Sequence, residues 1–120
     1  MEEKNCIFCK IVRGEIPSTK IYEDENFLAF LDIHPLAPGH TQIIPKKHYR
    51  YVWDVPNAGE YFEVAKKIAL AQKKAFGADI VRSQIYGEEV YHAHIWLWPD
   101  VPGDANNLSE NAKKLIEVFN

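Results

Sequence analysis

Residues capable of metal or phosphoryl chemistry are concentrated in two short stretches, and the richer is Val90-Tyr91-His92-Ala93-His94-Ile95-Trp96-Leu97-Trp98-Pro99. As a strand it alternates faces, with His92, His94, Trp96 and Trp98 on one side and Tyr91, Ala93, Ile95 and Leu97 on the core side. The two imidazoles then sit about two strand rises apart, roughly 6.5 to 7 Å, close enough to address one metal cluster or one phosphate. Packing alone rarely needs such a pair, because each ring that leaves water must find polar partners. For His94 three readings stand: a satisfied core histidine, a metal ligand, and a nucleophile or general base. An imidazole of ordinary pKa is mostly neutral at pH 7 and can attack phosphorus when an acceptor holds one ring nitrogen protonated.

The second stretch is Cys6-Ile7-Phe8-Cys9, which contains both cysteines of the chain. Tetrahedral zinc takes four nitrogen or sulfur ligands, and a Cys-x-x-Cys knuckle supplies two from one turn. The other two must come from the histidines, His34, His40, His48, His92 and His94. His48, just past a strand end, and His92, opening the histidine strand, are best placed. Two buried free thiols and a redox pair are the alternatives. The redox option is the weakest, since no strand-to-helix turn of a βαβ unit surrounds the pair.

The elements that must position these residues follow from periodicity. Cys6 to Ile11 reads as a turn or helical start, ended by Gly14 and Pro17. Strands are expected at Lys20 to Glu23, at Phe27 to Asp32 as an apolar run covered on both faces, and at Thr41 to Ile44 with Pro45 as a stop. A Pro-rich loop from His34 to His40 separates the last two. The main helix is expected from about Asn57 to Phe76, with Tyr61, Val64, Ile68, Ala71 and Ala75 on one face and Gly77 as cap. A fourth strand, Ile80 to Tyr86, turns through Gly87-Glu88-Glu89 into the histidine strand. Leu108 to Phe119 forms a second helix behind an Asn107/Glu110 capping box. This predicts an α+β fold, a five-strand meander that is mainly antiparallel, with one long helix and a C-terminal helix.

The 120 residues suit one domain, 1–120, with a single core. A formal net charge of -3 gives no drive toward a nucleic-acid polymer. No apolar run reaches the roughly 18 to 20 residues of a membrane helix, and the polar N-terminus lacks the order of a signal peptide. The expectation is a cytoplasmic protein with no membrane partner.

The residues also carry a family resemblance. The run from Cys6 to Ser18, the run from Glu23 to Ile33, Pro35-Leu36-Ala37-Pro38-Gly39-His40, Ile43 to His48 and the His-x-His strand together resemble the histidine triad (HIT) proteins. The Hint-like purine nucleoside phosphoramidases are the branch most like it. The resemblance implies an α+β HIT fold and a homodimer formed through the long helix and a neighbouring strand. It implies a nucleoside monophosphate, or a derivative of one, as ligand. Ile21, Phe27, Leu31, Asp32 and Ile33 would form the nucleoside pocket, Asp32 accepting ribose hydroxyls and Trp96 stacking on it or walling it. His94 would attack the α-phosphorus to give a nucleotidyl-histidine that water cleaves, with His40 and His92 beside it. Zinc would sit on Cys6, Cys9, His48 and His92.

Two departures bear on activity. The family's third strand histidine is Trp96 here, and indole donates one hydrogen bond but neither accepts one nor exchanges a proton at neutral pH. Glu88-Glu89 stands where the family commonly has glutamine before serine or threonine. A carboxylate about 4 Å from a phosphate charge opposes binding by roughly 1 kcal/mol in water and up to about 4 at an effective dielectric of 20. The expected activity is hydrolysis of nucleoside 5'-monophosphate derivatives such as phosphoramidates. The alternative is a catalytically weak or inactive nucleotide-binding or regulatory HIT protein.

Overall fold

The sheet is built around two strands whose sequence is almost entirely apolar. The computed structural model describes residues 4–88 and 90–119, so the expectation for Glu89 lies outside the described residues. Helix α1 (Ile7–Val12) is followed by β1 (Lys20–Glu23), β2 (Phe27–Leu31) and β3 (Thr41–Pro45). A 3-10 turn at Val52–Asp54 leads into α2 (Ala58–Phe76), then β4 (Val81–Tyr86), β5 (His94–Pro99) and α3 (Leu108–Phe119). Every residue of β2 is buried, which explains its continuous apolar run. Phe27, Ala29 and Leu31 face α2 and α3 together with Ile43, Ile95 and Leu97, whereas Leu28, Phe30 and Ile44 pack against Phe8 and Ile11 of α1 on the other side.

All pairings are antiparallel, but the strand order is β1-β2-β3-β5-β4. The expected meander therefore holds only for the first three strands. Helix α2 crosses the sheet, delivers β4 to the outer position, and the chain returns so that β5 pairs with both β3 and β4. The strand carrying the histidines is thus central. It is also shorter than expected: residues 91–93 are bent out of the ladder, and Ala93 N–H bonds the Tyr49 carbonyl at 2.6 Å. Pro45 ends β3 from inside it, opposite Phe27. Lacking an N–H it cannot donate, but its carbonyl has a use described below.

Helix α2 buries Tyr61, Val64, Ile68 and Ala71 of the stripe expected of it, with Ala75 half-buried, and Tyr61 stacks on Phe27 at 4.9 Å with its hydroxyl donating to the Ile43 carbonyl. Gly77 closes the helix in the left-handed conformation at φ 65°. The Asn107 side chain accepts from Glu110 N–H at 3.2 Å, capping α3 as its sequence indicated. Among the described residues, no helix is long and apolar enough to cross a membrane.

The loop before β3 is fixed by Gly39, which has φ +78° and lies so close to Phe76 that a Cβ would come within 2.4 Å of the ring. Gly39→Ala is expected to destabilise the fold by about 2 to 4 kcal/mol, from left-handed backbone strain and overpacking together. Urea unfolding checks this, and a loss below 1 kcal/mol would contradict it.

Candidate metal centre and histidine face

Three of the five histidines are almost wholly removed from water: His40, His92 and His94 are 1%, 0% and 3% exposed. Their partners determine which ring nitrogen carries the proton. His92 Nε2 lies 2.8 Å from the Pro45 carbonyl. A carbonyl only accepts, so Nε2 is protonated and the Nδ1 lone pair is left facing the N-terminal turn. There it meets Cys6 Sγ at 3.3 Å and Cys9 Sγ at 3.5 Å, while His48 Nδ1 lies 3.3 Å from Cys9 Sγ.

One donor atom from each of Cys6, Cys9, His48 and His92 falls within 4.8 Å of the others. The edges of a zinc tetrahedron with bonds of about 2.0 to 2.3 Å are roughly 3.3 to 3.8 Å, so the donors need only a small contraction to close on an ion. Burial drives the His92 pKa down to about 4, opposed by the Pro45 bond and reinforced by His48 and His94. That keeps the ring neutral, the form a metal requires. The bond to Pro45 is the carbonyl anchor common behind metal-binding histidines. The four side chains form a donor cluster compatible with a metal site. The knuckle forms because Cys6 caps α1, its sulfur accepting from Cys9 N–H.

His94 opens β5. Its Nδ1 lies 2.7 Å from the His92 carbonyl and must donate to it, which places the ring lone pair on Nε2. The edge of Phe8 packs on both rings, at 5.3 Å from His94 and 5.8 Å from His92, and Phe8 in turn meets Phe30.

Farther along the same face, His40 packs against Trp96 at 5.2 Å and Trp98 at 5.5 Å. His40 is therefore brought beside the indoles that follow His94, two and four residues along the strand. Its Nδ1 accepts from Leu36 N–H, so Nε2 is protonated, and it points at Asp32 Oδ2 from 3.7 Å. Burial lowers the His40 pKa, and the Asp32 charge partly offsets this. Asp32 also accepts from His34 N–H and from Gln42 Nε2.

Of the residues expected to form a nucleoside pocket, Asp32 lies on the histidine face and Ile33 is largely exposed beside it. Ile21, Phe27 and Leu31 do not belong to that face. They are sealed in the core beneath α2 and α3, because β2 alternates and puts Phe27 and Leu31 opposite Leu28 and Phe30. The apolar residues on the histidine side are Phe8, Ile11, Leu28 and Phe30, with Ile16 packed on them. Leu28 and Phe30 were legible as the other half of the β2 alternation once His94 and β2 are placed on one sheet. Glu88 is exposed in the turn after β4.

Gln72 also went unanticipated. It is fully buried on α2, and its amide nitrogen reaches the Gly39 carbonyl at 3.0 Å, the Leu97 carbonyl at 2.9 Å and Thr41 Oγ1 at 3.4 Å. It staples the residue before His40 to the residue after Trp96 from beneath the sheet. The signal was a polar residue one helical turn beyond Ile68, inside the apolar stripe.

Comparison with known proteins agrees with this geometry. Residues 13–101 match the HIT domain family. A Hit-like protein of Bartonella henselae is 40% identical and superposes with a TM-score of 0.87, covering 98% of each chain. A Zn-bound histidine triad family protein of Mycobacterium smegmatis is 32% identical with a TM-score of 0.82, covering 96% of this chain and 93% of that one. The adenosine 5'-monophosphoramidase of Saccharomyces cerevisiae is 41% identical over 127 residues, spanning 92% of this chain and 80% of that protein. The chain belongs to the HIT family and has its α+β fold, a five-stranded antiparallel sheet with three helices.

Replacing Gln72 with leucine leaves three oxygens facing an apolar group. The substitution is expected to cost about 1 to 3 kcal/mol, read by urea unfolding, and an unchanged midpoint would show that the staple carries no weight.

Proposed function

We propose that this chain is a hydrolase of nucleoside 5'-monophosphate derivatives, phosphoramidates among them, acting through a nucleotidyl-histidine on His94. The observation that carries this reading is the 2.7 Å bond from His94 Nδ1 to the His92 carbonyl. It keeps the proton on Nδ1 and the lone pair on Nε2, which attacks the α-phosphorus as the bond to the leaving group breaks. Water then cleaves the phosphorus–nitrogen bond to the imidazole and releases the monophosphate. The 41% identity to the yeast adenosine 5'-monophosphoramidase supports the substrate class.

The base and sugar lie over Phe8, which borders His94, and over Phe30 packed on Phe8, with Asp32 and Ile33 toward the sugar. Trp96 forms a wall where the family has a third imidazole, and His40 orders that wall from behind. Zinc is the ion we assign to Cys6, Cys9, His48 and His92, a reading supported by the Zn-bound relative. Bound there, it supplies a cross-link between the N-terminal turn, the exit of β3 and the approach to β5. We further assign the outer edge of β4 and the exposed Phe62 and Leu70 of α2 to a homodimer of this one-domain chain.

Trp96 favours one other reading, a nucleotide-binding module with little or no turnover, because an indole cannot exchange a proton with the phosphate or leaving group. Release of AMP from an adenosine phosphoramidate separates the two. The hydrolase reading expects turnover that falls by at least about 10³-fold in His94→Ala. Equal AMP release by the two proteins would overturn it, and calorimetric AMP binding without turnover would establish the other.

A further inference from the structure

His92 makes contacts of two kinds with two different functions. Its ring is clamped between the Pro45 carbonyl at 2.8 Å and the cysteine sulfurs at 3.3 and 3.5 Å. Its backbone carbonyl accepts the proton that defines the His94 tautomer. The sheet does not fix that carbonyl. The last pair of the β4–β5 ladder is Tyr86 with His94, the β3–β5 ladder ends at Ile43 with Ile95, and residues 91–93 are bent away. The bent segment is held by the Ala93 N–H bond to Tyr49 and by the His92 ring. Tyr49 directly follows His48, which also belongs to the cluster. Both anchors of the segment therefore lead back to the four-residue metal centre.

We propose that His92 is a positioning residue through which occupancy of the Cys6/Cys9/His48/His92 centre sets the orientation and tautomer of His94. With an ion bound, the ring and hence the peptide of His92 are immobilised, and the carbonyl holds the proton on His94 Nδ1. With the centre emptied, the ring keeps the Pro45 bond and only the weak, long sulfur contacts in place of a metal bond, the carbonyl loosens, and His94 samples both tautomers. The rings that then present a protonated Nε2 have no lone pair there for attack. The inference rests on the reading of His94 as the nucleophile and of the cluster as a zinc site. It adds a dependence of the one on the other with no ion near the phosphorus.

The test uses the whole chain, ¹⁵N-labelled, loaded with zinc and then stripped by a chelator under reducing conditions. The zinc-to-chain ratio is measured in each state. Long-range ¹H–¹⁵N spectra at one pH report every imidazole tautomer, and exposed His34 serves as the internal reference. The expected result is one zinc per chain, a single Nδ1–H form of His94 when loaded, averaged His94 nitrogens when stripped, and an unmoved His34. AMP-phosphoramidate turnover is expected to lose about 10-fold in kcat with KM changed less than about 2-fold, the scale of a lost metal-site support. Cys6→Ser should reproduce the stripped spectrum.

If stripping unfolds the chain, exchange of zinc for the larger cadmium ion keeps the centre closed and must still displace the His94 resonances while leaving His34 in place. An identical His94 pattern with zinc bound and removed, or cadmium shifts confined to His48 and His92, overturns the proposal, as does a chain that binds no zinc. A metal-dependent tautomer in a protein without turnover supports the positioning role and refutes only the hydrolase reading.

Discussion

A buried imidazole must give each ring nitrogen a partner, and this chain buries three of them on one side of a sheet. That constraint organises everything near the site. For His92 the partners are a carbonyl at the end of β3 and the sulfurs of a helix-capping turn. For His94 the inner partner is the carbonyl two residues back. For His40 a loop N–H bonds Nδ1, and the Asp32 carboxylate faces Nε2 from 3.7 Å, beyond hydrogen-bond length. At each ring one partner has a single hydrogen-bonding sense, a carbonyl for His92 and His94 and an N–H for His40, and that partner dictates the tautomer. The reading of the site as a place where a neutral imidazole presents a lone pair depends on that.

The sheet separates packing from chemistry. The side under α2 and α3 is the larger core, tied to the strands by Tyr61 and by the buried Gln72 amide. The other side is covered by the short α1, Ile16 and the loop bearing His40, and carries the histidines, Asp32 and the indoles. Central placement of β5 between β3 and β4 lets one strand contact the metal centre at its start and the His40 loop farther on. A meander would have left that strand at an edge, with one flank unpaired.

Much of this was legible in the residues. The spacing of Cys6, Cys9, His48 and His92 pointed to a common donor set, and the four atoms do converge. β1 and α3 fall where periodicity placed them. The pocket did not emerge in the same way, because carrying Ile21, Phe27 and Leu31 over by resemblance ignored which face each position takes. A one-residue difference along a strand is a change of side, and only the pairing of β2 with β3, and of β3 with β5, settles which side holds the histidines. The start of β5 was also hidden. Tyr91 and Ala93 alternate like strand residues, yet the His92 ring and the Tyr49 carbonyl draw them out of the ladder. Gln72 escaped notice since nothing in a helix sequence tells which carbonyls lie beneath it.

The central claim is that His94 Nε2 forms a covalent bond to the substrate phosphorus. Rapid acid or denaturant quench of the protein with an adenosine phosphoramidate, followed by peptide mass spectrometry, tests it most directly. A transient adenylyl group located on the peptide bearing His94, absent in His94→Ala and decaying as AMP appears, is the predicted result. Steady AMP release with no such adduct at any quench time, or an adduct on a different histidine, would contradict the account.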